Sequence, residues 1–242
     1  MSTIGSGITI GSGVTVQQGV LSNGLQLYLN AGTYAGSGTA WQDLSGNSRT
    51  FTWASTPTWT NAGPASYFST LGNLAVGPAS NSFGINNTSG YTIFLVMMQN
   101  ALVSTAAFKF YGDVLYSRGI FSHCTWSDDV VYFDQGGCCA SDTRTSVGSG
   151  GSQTWNVWTF RRNTNSSSRY IMKNGSTLAT NTAAAANIDL NSTAANLGGS
   201  DEYGGNSSTW NARLGAFIVY NRGLSDTEVS QVYNTIRGGW SI

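Results

Sequence analysis

The sequence is poor in charge. Only 9% of its 242 residues are Asp, Glu, Lys or Arg, and the formal net charge is +0, where about a quarter charged is typical of soluble domains. Lysine is confined to Lys109 and Lys173. Nucleic acid is therefore not an expected partner, because phosphate contacts need clustered Lys and Arg. A neutral surface also lacks the repulsion that keeps free molecules apart, which suits a protein packed in an assembly. No run approaches the roughly 20 apolar residues of a membrane helix, and no basic segment leads into an apolar core at the N-terminus, so neither a membrane span nor Sec export is expected. Asn-x-Ser/Thr triplets at Asn165, Asn174 and Asn206 then reflect Asn/Ser richness and not glycosylation.

Cysteine is also scarce. Cys124, Cys138 and Cys139 make an odd count, so at least one thiol is unpaired and no disulfide framework is implied. His123 beside Cys124 has zinc-ligand chemistry, but neighbours on a strand point to opposite faces, so these cysteines read as small buried hydrophobes. What is abundant is aromatic residues at 12% and 31 glycines. That composition excludes disorder and fits one large core, because sandwiches of this length are routinely single domains.

Residues 1–19 stand apart. Ile4-Gly-Ser-Gly-Ile8-Thr9 and Ile10-Gly-Ser-Gly-Val14-Thr15, closed by Val16, repeat with period six. Extended Ile/Val-Thr triplets between flexible Gly-Ser-Gly units can pair as strands but bury no core of their own. They read as an assembly arm, with Ile4, Ile8, Ile10, Val14 and Val16 as its contact residues, adding strands to a neighbouring subunit; a free leader or an edge strand of the chain's own sheet is the alternative.

Residues 20–242 read as a single domain. Leu25–Leu29, Phe51–Trp53, Pro57–Trp59, Ala65–Phe68, Leu74–Val76, Leu115–Tyr116, Gly119–Phe121, Val130–Phe133, Trp155–Phe160 and Arg169–Met172 are short strands between Gly/Asn/Pro turns. Tyr91–Met98 is a nearly continuous apolar run, expected as a central strand covered on both faces. Asn174-Gly175 signals a tight hairpin. Residues 181–196 fit either a loop or a short strand around Ile188–Leu190. At the C-terminus, Phe217–Tyr220 predicts a core strand. Ser225 to Glu228 predicts a capping box, and Val229, Val232, Tyr233 and Ile236 predict the apolar stripe of a helix stopped by Gly238-Gly239. Leu224 and Val229 take the staple positions. This helix is expected as a lid over an open end of the sandwich. The fold class is all-β, an antiparallel β-sandwich with one short C-terminal helix and an extended N-terminal arm.

Four stretches resemble one family: residues 24–32, Trp41-Gln-Asp-Leu-Ser-Gly-Asn47, Trp155 to Gly175, and Tyr220-Asn-Arg-Gly-Leu-Ser-Asp-Thr-Glu-Val229 with Tyr233-Asn234. Together they are similar to the concanavalin A-like lectin/glucanase sandwich, a jelly roll, and specifically to laminin-G-like domains of tailed-phage structural proteins. With the arm, the resemblance implies a non-enzymatic virion protein assembled in the host cytoplasm, expected to decorate or cement a capsid through that arm; the alternative is a glycan-binding tail-fibre or host-recognition module, and a glycan hydrolase is the remote one. Its implied partners are the major capsid protein or neighbouring subunits in a closed homo-oligomer such as a trimer. A fold shared by lectins, enzymes and coat proteins does not itself name a chemistry.

The residues argue against catalysis. Retaining glycosidases need two carboxylates about 5 Å apart. This chain has only Glu202 and Glu228, the latter claimed by the helix cap. Asp128, Asp129 and Asp134 offer another carboxylate pair, although Asp128-Asp129 reads as a solvated hairpin tip. His123 is the sole histidine, and no Gly-x-Ser-x-Gly elbow or phosphate loop accompanies it. Binding is another matter, because sugar sites need aromatic platforms beside polar donors. Trp126, Asp201, Tyr203 and Trp210 are the glycan-binding candidates. Asp201 and Glu202 also have calcium-ligand chemistry. Asp43 shares it, but its position in Trp41–Asn47 reads as a turn, because one carboxylate does not make a site needing six or more oxygens. No cofactor is expected.

Overall fold

The protein's computed structural model describes residues 2–4, 8–10, 19–112, 118–184, 187–200 and 210–242, the first two spans by backbone alone. Two antiparallel sheets of eight strands stack face to face. From edge to edge, the back sheet runs Ser176–Asn181, Arg169–Lys173, Asn156–Arg162, Tyr91–Gln99, Ala212–Tyr220, Tyr67–Ser69, Thr58–Thr60, with Leu25–Asn30 also pairing along Ala212–Tyr220. The front sheet runs Arg144–Gly148, Val130–Gln135, Ile120–His123, Ala106–Phe110, Ala194–Ser200, Ala75–Ala79, Phe51–Trp53, Ala40–Trp41.

The apolar run expected at the centre is central. Tyr91–Gln99 lies between Asn156–Arg162 and Ala212–Tyr220, and its residues are buried except Met98. Its alternate side chains serve two separate cores. Ile93, Leu95 and Met97 pack between the sheets with Trp41, Trp53, Phe108, Phe160 and Phe217. Phe94 and Val96 point the other way, to join Val157, Met172, Ile218 and the helix residues Val229, Val232 and Ile236. A strand buried on both faces loses the polar alternation of a half-solvated one, and this is why it reads as unbroken apolar sequence.

The helix, Asp226–Ile236, therefore covers the outer face of the back sheet and not an open end of the sandwich. The stripe it buries matches side chains that the back sheet turns outward, so the face and not the rim is its partner. Its cap forms as the sequence dictates: Ser225 Oγ accepts from the Glu228 amide at 3.2 Å, and Glu228 Oε2 accepts from the Ser225 amide at 2.8 Å. Leu224 and Val229 are both buried in this second core. Arg161 on the sheet reaches up to the Leu224 carbonyl and to Asp226, at 2.9 and 2.6 Å, tying the first turn down.

Several strands were not legible. Ala106–Phe110, Arg144–Gly148 and Ala194–Ser200 complete the front sheet. Of the 188–190 stretch, only Leu190 makes an isolated bridge, to Gly112. Leu115 and Tyr116 lie outside the described residues. At Asn174-Gly175 both residues have positive φ, 51° and 80°, which is the hairpin turn expected.

The Ile-Thr triplets of the arm do not extend singly. Ser2–Ile4 pairs with Ile8–Ile10, with Ile4 opposite Ile8 and Ser2 opposite Ile10, as a separate two-stranded sheet. Repeated β-formers on a short flexible spacer satisfy their own backbone groups by doubling back. Val14 and Val16 lie outside the described residues.

Candidate functional site

The registers of the front sheet place one row of residues across all its strands. Arg144, Asp134, Phe121, Lys109, Asn196, Val76, Thr52 and Ala40 are successive cross-strand partners. The adjacent row, Thr145, Phe133, Ser122, Phe108, Leu197, Ala75 and Trp53, is the mostly apolar one and faces the core. Because side chains alternate with period two, the first row lies on the outer face. That face carries charge where the inner one carries phenyl rings.

Half of the outer row is nevertheless buried: Asp134 at 0% exposure, Phe121 at 1%, Lys109 at 2% and Asn196 at 7%. Arg144 grips Asp134 through Nε and Nη2, both at 2.7 Å, and the guanidinium lies 4.3 Å from the Tyr132 ring centroid. Lys109 Nζ stands 4.8 Å from the Tyr111 ring and 5.5 Å from that of Phe121. Tyr111 Oη accepts from Asn196 Nδ2 at 2.8 Å. Next to Asp134 along the sheet is His123, whose ring meets Trp126 edge to face at 4.5 Å. Burial holds the His123 pKa down, at about 4, and the nearby charges of Arg144 and Lys109 push the same way. At neutral pH the imidazole is uncharged, and its 3.7 Å approach to Asp134 is not an ion pair.

His123, Trp126, Tyr132, Cys139 and Arg144 enclose a cavity of about 210 Å³. Trp126 is half-buried, held in a tight turn by its amide to the Val130 carbonyl at 2.9 Å and by the Asp129 amide to its own carbonyl at 3.0 Å. Asp128 at the exposed tip accepts the Tyr132 hydroxyl at 2.7 Å, and this bond is the first cause of the raised Tyr132 pKa. Asp129 is not a solvated tip residue: its Oδ1 accepts the hydroxyls of Ser149 and Ser152, at 2.7 and 2.8 Å. A cavity this size is below the roughly 300–1,000 Å³ of drug-sized sites and fits a single ring. A larger groove of about 560 Å³ runs between the end of the helix and Tyr28, Asn30 and Pro64, but among the described residues no charged side chain lines it. The smaller cavity combines an aromatic platform with charged and hydroxyl groups, and it is the better candidate.

The expected site residues divide. Trp126 lies at the cavity. Trp210 does not: it is 0% exposed within the core between the sheets, so its ring offers no platform to a ligand. Asp201, Glu202 and Tyr203 lie outside the described residues. Asp43 is a turn residue whose carboxylate accepts the amides of Tyr28, Ser45 and Arg49 at 3.0, 2.8 and 2.9 Å, and the Ser45 hydroxyl at 2.7 Å. Those donors occupy the lone pairs that a cation would need. Arg144 and Tyr132 are the residues missed, for nothing in the sequence alone aligns position 144 with 134. The cysteines also differ from expectation. Cys138 and Cys139 are joined to each other, Cys139 is exposed at the cavity, and only Cys124 is a buried free thiol.

No family model and no curated protein matches the chain. Solved structures do resemble it. The binding domain of Paraclostridial Mosquitocidal Protein 1 superposes with a TM-score of 0.65 at 15% identity, over 90% of this chain and 55% of that one. The binding domain of Botulinum Neurotoxin DC in complex with SialylT gives 0.64 at 13%, over 90% and 52%. Trypanosoma rangeli sialidase gives 0.59 at 13%, over 90% and 34%. The chain thus spans about half or a third of the length of these proteins. Such likeness is of fold alone: a sandwich of antiparallel β-sheets.

Proposed function

We propose that this chain is a non-catalytic carbohydrate-binding module whose ligand seats on the outer face of the front sheet. The observation that carries this reading is the cavity of His123, Trp126, Tyr132, Cys139 and Arg144. A half-exposed indole gives a platform for the apolar face of a sugar ring, and Tyr132 and Arg144 line the same cavity to meet hydroxyls. Arg144 is matched in charge by Asp134, which favours uncharged sugars over acidic ones. The shared fold with a toxin binding domain in complex with SialylT supports the class of activity. The test is a glycan panel read with wild type, Trp126→Ala and Tyr132→Phe. The expected result is binding reduced at least tenfold by Trp126→Ala; absence of binding across a broad panel overturns the reading.

A second reading is favoured by the arm. Its hairpin belongs to neither large sheet, and a short independent β-unit presents backbone edges to a partner. On this reading the module is a tailed-phage virion protein that decorates or cements a capsid, or forms part of a tail or fibre, as a closed homo-oligomer. Deleting residues 2–16 then abolishes incorporation into particles; normal occupancy by the truncated protein removes it.

A further inference from the structure

The least expected feature of the interior is a row of polar residues at one end of the back sheet. Tyr91, Arg162, Arg169 and Asn181 are successive cross-strand partners. They share the inward face with Ile93, Phe160 and Ile171, two residues along each strand, all of which belong to the core between the sheets. Two guanidinium groups thus sit side by side inside the sandwich. Like charges directly opposite on a sheet repel, and burial of an unmatched charge is costly.

The two arginines differ in how they are satisfied. Arg162 donates from Nε to the Ser166 carbonyl at 3.0 Å and from Nη1 to Asn87 Oδ1 at 2.9 Å. Arg169 is 0% exposed, and none of its Nε, Nη1 and Nη2 meets a hydrogen-bond acceptor among the described residues. Tyr91, beside the pair, has its hydroxyl committed to Gln135 Oε1 on the front sheet at 2.9 Å. Across the gap on Arg144–Gly148, Thr145 is also buried with an unpaired hydroxyl. The seam between the two edge strands opens as a groove of about 510 Å³, whose lining includes Thr145 and Asn181, the cross-strand partner of Arg169. Burial depresses the Arg169 pKa, with Tyr91 opposing, yet a guanidinium keeps its proton at neutral pH.

We propose that the Arg162–Arg169 pair is the receptor of a small inorganic oxyanion, of the phosphate or sulfate class, which enters along the seam and completes this end of the interior. A guanidinium presents parallel donors that match two oxygens of one oxyanion, a fit that a halide cannot make. The enclosure of Arg169 excludes an anion carried on a macromolecule. The arginine pair lies on the inner side of the sheets, and its entry groove shares only Arg144 with the carbohydrate cavity.

The experiment is thermal unfolding of the full chain in phosphate-free buffer, titrated with inorganic phosphate at constant ionic strength, with chloride as the reference ion. Wild type should gain about 5 °C in Tm by the time phosphate is a hundredfold above its Kd. Arg169→Met, which keeps the bulk and removes the charge, should lose that gain and melt no lower than wild type without phosphate. A wild-type Tm that phosphate raises no more than chloride does overturns the proposal, as does an equal rise in Arg169→Met. If the variant does not fold, wild-type crystals soaked in selenate decide: an anomalous peak beside the Arg169 guanidinium supports the site, and water alone there overturns it.

Discussion

Arg144 holds Asp134 by two hydrogen bonds of 2.7 Å, with the carboxylate fully buried and the arginine side chain 20% exposed. The pair closes one wall of the cavity and fixes the Tyr132 ring against the guanidinium. Removing one partner leaves an uncompensated charge, which costs more than the pair itself contributes. Arg144→Met should therefore destabilise the fold by about 3–5 kcal/mol. The double variant with Asp134→Asn should recover much of that loss. Urea unfolding of the two singles and the double gives the coupling directly. Additive effects would mean that the pair does not act as a unit.

His123 makes the protein sensitive to mild acid. Its pKa is lowered from 6.5 to about 4 by burial. Above pH 6.5 both folded and unfolded chains carry a neutral imidazole. Between pH 6.5 and about 4 the unfolded chain takes up a proton that the folded one refuses, so stability falls as pH falls, and below that window the effect is complete. The size is about 3 kcal/mol, from about 1.4 kcal/mol per pKa unit. His123→Phe keeps an aromatic ring against Trp126 and should flatten the urea midpoint between pH 6.5 and 4.

The sandwich and its helix were legible because each rests on local chemistry. Ser225 and Glu228 are three residues apart, so their cap can be read without knowing the fold, and Asn174-Gly175 specifies its own turn. The site was legible only at Trp126. Arg144 and Asp134 meet through strand register, and the choice between outer and inner face reverses with a slip of one residue. Trp210 shows the opposite failure: a tryptophan in a loop-like context carries no mark to distinguish platform from core. The helix was placed at a rim because its stripe was visible while its target, Phe94 and Val96 on a strand buried on both faces, does not alternate with polar residues.

A second acid window belongs to the helix cap. Glu228 is lowered from 4.5 to about 2, first by the Arg222 hydrogen bonds at 2.7 and 3.0 Å and next by the Ser225 amide. A depressed carboxylate contributes stability that is present above about pH 4.5 and is lost as pH falls toward 2. With the side chain 31% exposed, solvent screening reduces the contribution to roughly 1 kcal/mol. Glu228→Gln should remove the slope between pH 4.5 and 2 and leave the His123 window intact. Ser225→Ala should cost about 1 kcal/mol at all pH values.

Gly215 marks a close approach. A Cβ built there would lie 2.6 Å from Trp240 Cζ2 and 2.7 Å from Cε2. Trp240 is 5% exposed and belongs to the core under the helix. Gly215→Ala must push the indole away, so a loss of about 1–3 kcal/mol is expected from overpacking. Tryptophan fluorescence should shift to the red as that ring gains water. An unchanged spectrum and an unchanged midpoint would show that the C-terminal segment moves freely.

The arm should be dispensable for stability. Its strands pair with each other and join neither eight-stranded sheet. The folded domain is already anchored at its beginning: the Gly19 carbonyl accepts from Thr235 Oγ1 at 3.3 Å, and Val20 is buried in the core under the helix. An isolated two-stranded hairpin is marginal in water, so its loss removes little folding free energy. A chain beginning at Gly19 should melt within about 2 °C of the full chain, a shift worth less than about 1 kcal/mol at this size. Calorimetry on the two chains measures it. A drop of ten degrees would place the arm within the domain's own core, and the strand-addition reading of residues 2–16 would lose its basis.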